Sequence, residues 1–197
     1  MHYSENSIAF RVGNVKDCDV LENAIYKSLK SFKHFNKGAN DVATIELNND
    51  GTEAYFNSLG VMGTGSDAIG NADKTPVGLM FDDENRMVMA HTLEGHMLEG
   101  KRYWTVSVKR GPNCDADVTV MTFAYDRKVG FLNDFGAAMM GTAEQLASWD
   151  QYLINVMNAN KGNAIQKDWP YDRPGPRHYD RDTKSPIMPE LPGHPWK

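Results

Sequence analysis

The sequence predicts one α+β domain: a curved antiparallel β-sheet gripping a long C-terminal helix, with a shorter helix near the N-terminus and a Pro-rich extended tail. Three observations predict it. Apolar residues recur at three- and four-residue steps near the start and toward residue 157, alternating runs broken by Asn, Asp and Gly lie between, and prolines crowd the chain after residue 161. The expected division is a domain over 1–160 and a tail over 161–197.

Taken in order, Ser7 to Val15 alternates Ile8, Phe10 and Val12 with smaller or polar residues, the pattern of a first strand. Asp17 or Asp19 can cap a helix, because a short carboxylate accepts the orphan N–H groups of a first turn. Leu21, Ala24, Ile25, Ser28, Phe32 and Phe35 then form one stripe, with Lys27, Lys30 and Lys33 turned outward and Gly38 as the stop. Val42 to Leu47 reads as a strand, Asn48-Asn49-Asp50-Gly51 as a turn, and Tyr55-Phe56 as the start of the next strand. The glycine-rich stretch 60–74 reads as a loop. Further strands are expected at Val77–Phe81, Met87–His91, Tyr103–Lys109 and Asp117–Tyr125, with turns at Asp82–Asn85 and Gly111–Asn113.

The closing helix carries Phe131, Leu132, Phe135, Ala138, Met139, Thr142, Leu146, Trp149, Leu153 and Val156 at helical spacing, with Gly136 and Gly141 marking a kink. So long a stripe needs a broad apolar partner. In the tail, prolines from Pro170 to Pro195 forbid helix and central strand. That tail reads as a surface arm. Two P-x-x-P spacings, Pro186 to Pro189 and Pro189 to Pro192, also suit an SH3-type groove, and the arm could dock a partner or a second copy of the chain.

A net charge of -5 argues against a nucleic-acid partner, which demands clustered Lys and Arg. No apolar run is long enough to span a bilayer, and residues 1–7 lack the apolar core of a signal peptide. A cytoplasmic location is expected, although export by a signal-less route would leave no trace. Cys18 and Cys114 stand far apart and are expected to be free thiols. No cofactor and no metal are expected.

One segment concentrates reactive side chains: His91-Thr92-Leu93-Glu94-Gly95-His96-Met97-Leu98-Glu99-Gly100-Lys101-Arg102-Tyr103-Trp104. An acid–base pair could be built from His91 or His96 with Glu94 or Glu99, since imidazole titrates near working pH. The spacing is not that of a zinc site. In extended backbone an odd separation points the two histidines to opposite faces, so they converge only across a bend at Gly95. A purely structural reading competes: Gly95 and Gly100 serve turns, His96 satisfies backbone groups, and the Glu, Lys and Arg side chains face solvent.

Thr92-Leu93-Glu94-Gly95-His96 through Gly100 resembles the T-L-x-G-H…G-E signature of an uncharacterised bacterial and plant domain of unknown function, with Lys101 where that family has Glu. Ala24–Leu29 and Phe32-Lys33-His34-Phe35 are similar to its A-x-x-A-L-x-x-W-x-H-F run, Phe32 replacing Trp. The likeness covers roughly residues 8–157 and brings no established catalytic residue. T-L-x-G-H-x-L is also similar to C-terminal toxin domains of bacterial effectors, which would make the protein a secreted enzyme. The element order looks like the helix-grip arrangement of START and Bet v 1-type proteins, which implies binding of a hydrophobic small molecule or lipid. Carried onto this chain, the cavity would be lined by Met87, Met89, Tyr103, Val106, Val118, Val120, Phe135, Met139, Leu146 and Trp149, with His96 as a polar anchor.

Overall fold

Strand, helix, a run of antiparallel strands and a long closing helix follow one another along the chain. The computed structural model describes residues 2–35, 43–58, 75–94, 98–128, 142–165 and 177–182. Its elements are β1 (His2–Val12), α1 (Cys18–Lys30), β2 (Ala43–Leu47), β3 (Glu53–Ser58), β4 (Thr75–Asp82), β5 (Met87–Thr92), β6 (Leu98–Arg110), β7 (Ala116–Lys128), α2 (Thr142–Ala159), β8 (Asn163–Ala164) and β9 (Arg177–Asp182). Strand order across the sheet is β2-β3-β4-β5-β6-β7-β1-β8, with β9 also paired to β1. Every pairing is antiparallel. This is a helix-grip arrangement: consecutive strands from β2 to β7 are neighbours, and β1 closes onto β7.

Register separates two faces. On the inner face Ile8, Phe10, Val88, Trp104, Val106, Val118 and Val120 pack with Ile25, Tyr26 and Leu29 of α1 and Trp149, Tyr152, Leu153 and Val156 of α2. On the outer face Tyr3, Met87, Tyr103, Phe123 and Tyr125 form a separate cluster, with Tyr103 stacked on Phe123 at 4.8 Å. Alternation along each strand puts these two sets on opposite sides of the sheet.

Asp17 caps α1 by accepting from the Asp19 and Val20 amides. The helix stops at Lys30, well before Gly38, because Phe32 takes a positive φ of 48° and closes a turn that still buries Phe32 and Phe35. Lys30 does not simply face water. Its Nζ lies 2.9 Å from Asp83 and 4.7 Å from the Tyr26 ring centroid, tying α1 to the β4–β5 turn. Just beyond α1 in the chain, the His34 carbonyl accepts from Asn155 of α2 at 3.0 Å, joining the second helix to the turn after the first.

Several strands are longer than the sequence pattern indicates. β1 begins at His2 rather than Ser7, β6 at Leu98 rather than Tyr103, and β7 runs to Lys128. Part of the expected surface arm is sheet: β8 pairs with Phe10 and Arg11, and β9 with His2 to Ser7, side by side along the same edge of β1. β9 itself contains no proline and pairs with β1 at the sheet margin. Cys18 and Cys114 are free thiols, as expected. Within the described residues no helix is long and apolar enough to cross a membrane.

Candidate functional site

The inner face changes character along its strands, and register shows how. Ile8, Val120 and Val106 lie opposite one another, as do Phe10, Val118 and Val108 beyond them. Toward the other end the row becomes Asn6, Thr122 and Trp104, and then Ser4, Ala124 and Arg102. Ser4, Asn6, Thr122 and Arg102 are all buried. The hydrophobic floor thus ends in a polar strip beneath the helices.

Arg102 is the centre of that strip. Its phase on β6 matches Trp104 and Val106, so the sheet carries it inward. The side chain runs from β6 across β7, past the methyl of Ala124, to reach β1. Nη2 donates to Ser4 Oγ at 3.0 Å and Nη1 to Thr122 Oγ1 at 3.2 Å. The guanidinium lies over the Trp149 ring of α2, 4.6 Å from its centroid. Within the described residues no carboxylate stands within ion-pair distance of it. Asp126 acts on it only through its field, and burial pulls its pKa down to about 10. The expectation that the arginine of this segment faces solvent is therefore corrected: Arg102 is 9% exposed.

Trp149 joins this cation to an aromatic box. Its ring centroid lies 5.4 Å from Trp104, 5.1 Å from Phe35 and 6.3 Å from Tyr152, and Phe32 meets Trp104 edge-on at 4.9 Å. Among the described residues the buried atoms Trp104 Nε1 and Tyr152 Oη of the box have no hydrogen-bond partner. Burial raises the Tyr152 phenol pKa, so it stays protonated and remains a donor. Asn6 Nδ2, beside the box, donates to Asp150 Oδ1 of α2 at 2.7 Å.

The structure divides the residues expected to line a cavity. Val106, Val118, Val120 and Trp149 share the inner face and the main core. Met87, Met89 and Tyr103 belong to the outer face, because each is one residue out of phase with its inner neighbour. They cannot line a space with the valines. A shallow depression at the β4–β5 end is bordered by Met80, Phe81, Asp82, Met87 and Met89. His96, Phe135 and Met139 lie outside the described residues, as does the side chain of Leu146.

Of the acid–base candidates, His91 points outward on β5 and packs over Gly78 of β4, where an added Cβ would strike the imidazole. Its buried Nδ1 bonds to nothing, so no hydrogen bond from that atom joins it to Glu94 or Glu99. Glu94 and Glu99 are exposed. Gly100 serves no turn. It sits inside β6, where a Cβ would collide with the Tyr125 carbonyl and come within 2.8 Å of Asp126 Cα. Within the described residues no three His, Cys, Asp or Glu side chains gather closely enough to ligate a metal.

Sequence reasoning missed Arg102 as a site residue, and it also missed Ser4, Asn6, Thr122 and Tyr152. The signal available was phase, since Arg102, Trp104, Val106 and Val108 alternate without a break.

No family model matches the sequence. Nor does any curated protein match it. Among solved structures the chain is similar to the Zhui aromatase/cyclase of Streptomyces sp. R1128, at 10% identity and a TM-score of 0.47 over 81% of this chain and 94% of that one. It is similar to a conserved protein of Geobacillus kaustophilus at 10% identity and a TM-score of 0.47, over 83% and 99% of the two chains. A Thermus thermophilus protein is similar at 12% identity and a TM-score of 0.46, over 79% and 98%.

Proposed function

We propose that the chain is a binding module for an apolar small molecule, held between the inner face of the sheet and the two helices. One observation carries this reading. Trp104 Nε1 and Tyr152 Oη are buried in an aromatic box with no hydrogen-bond partner among the described residues. Buried donors are nearly always satisfied, and an orphan calls for an occupant such as a ligand or water. An apolar enclosure with a few inward donors is the ordinary make-up of a small-molecule site.

The test is direct. Native mass spectrometry of the purified chain should show a bound organic molecule, and titration with 1-octanol should shift the tryptophan fluorescence saturably. Tyr152→Phe removes only the hydroxyl. It should leave the melting temperature unchanged or higher, and weaken binding by about fivefold, the effect of one lost neutral hydrogen bond. A clean apo spectrum with no response to octanol would mean that the box is simply core.

A further inference from the structure

The polar strip beside the box is more specific than the box itself. Arg102 holds a full positive charge in a buried position with no carboxylate at ion-pair distance among the described residues, and only two neutral hydroxyls, of Ser4 and Thr122, accept from it. Buried charges are normally paired, because desolvation costs several kcal/mol that neutral contacts recover only in part. A guanidinium is also a fork of donors with no acceptor, and Ser4 and Thr122 use only part of the fork. Trp149 stacks on it and holds its plane. In the adjoining box Trp104 Nε1 and Tyr152 Oη can both donate as well. The indole and the phenol can each donate to an acceptor, and the buried guanidinium favours a negative one.

We infer that the interior site recognises an amphipathic organic acid, its carboxylate seated on Arg102 at the donor-lined end of the inner face and its apolar body lying toward the valine rows. This rests on the binding-module reading above and names the class of ligand. Charge counting selects a monoanion. A single guanidinium, already under the field of Asp126, can neutralise one negative charge, and a phosphate dianion would bring a second into a desolvated site. The polarity gradient fixes the orientation: Ser4, Ala124 and Arg102 at one end of the inner face, Phe10, Val118 and Val108 at the other.

The experiment compares octanoate, 1-octanol and octyl phosphate by isothermal titration on the full chain, on Arg102→Met and on Arg102→Lys. The native chain should bind octanoate at least about tenfold more tightly than octanol, the margin of one charge-assisted pair. Arg102→Met should abolish that margin, since it removes the charge and keeps the bulk. Arg102→Lys keeps the charge but loses the planar fork, and should lose most of the margin. Equal affinity for acid and alcohol in the native chain overturns the inference yet leaves the binding module standing. Failure of both compounds to bind overturns both readings. Octyl phosphate binding as tightly as octanoate overturns the carboxylate assignment. Should Arg102→Met fail to fold, the native acid–alcohol margin and its loss in Arg102→Lys decide the matter.

Discussion

Single residues in this protein are constrained mostly by what crosses between strands. Arg102 spans β7 to reach Ser4, and the route is open because Ala124 carries only a methyl. A larger residue at 124 would lift the guanidinium off the sheet. Gly100 shows the same kind of constraint on the backbone. The space a Cβ would need is taken by the Tyr125 carbonyl and by Asp126. Backbone atoms in the middle of a paired strand cannot swing aside as a side chain can. Gly100→Ala is therefore expected to destabilise the fold by about 2 kcal/mol, in the range of overpacking. The urea midpoint checks it, and an unshifted midpoint would show that β6 and β7 can part locally without loss. Gly78→Ala provides the contrast. There the obstacle is the His91 imidazole, a side-chain ring rather than backbone, so the loss should be smaller.

Elements were legible in the sequence where inward positions are apolar and obscure where they are not. The β4–β5 turn and the Asn48–Gly51 turn appear where the pattern places them, whereas the buried stripe of α1 is Ile25, Tyr26 and Leu29, with Ala24 exposed and Phe32 and Phe35 beyond the helix end. The first residues of β1 do not fit an apolar pattern, because the inward positions there are Ser4 and Asn6. The first residues of β6 read as a glycine-rich loop because Gly100 and Arg102 occupy the inward phase. Extended strands and candidate site were thus missed for one reason: the polar strip is what breaks the alternation. On the outer face of β1 and β7 the registered pair Arg11–Asp117 is an ordinary cross-strand ion pair, 2.6 Å between Nε and Oδ1. Arg11 holds the Asp117 carboxyl below its usual range, chiefly through the hydrogen bond. Because the folded value lies below the unfolded one, the pair's stabilisation is present above about pH 4 and fades as pH falls through the folded value. Asp83, held low by Lys30 and Tyr26, has the same sign. The melting temperature should fall between about pH 4 and pH 2, and Asp117→Asn should flatten part of that slope. An identical slope in the variant would assign the acid sensitivity to other carboxylates.

At the scale of the whole molecule, the sheet must end somewhere, and an exposed strand edge invites a second chain. One margin is the short β2. The other would be β1, an eleven-residue strand, had the chain not returned to cover it with β8 and β9. β9 pairs with His2 to Ser7, the part of β1 that carries Ser4 and Asn6. Its pairing therefore protects an edge and also steadies the floor under Arg102. Ending the chain after Ile165 removes β9 and leaves β8 in place. The shortened chain is expected to self-associate with rising concentration, as its bared edge pairs in trans, and size-exclusion chromatography with light scattering would show the shift. A peptide of residues 177–182 added back should return it to the state of the full chain, because the lost hydrogen bonds are main-chain and local. If the shortened chain keeps the same mass and binds octanol as before, β9 neither guards the edge nor supports the site, and β7 with β8 suffices to hold β1.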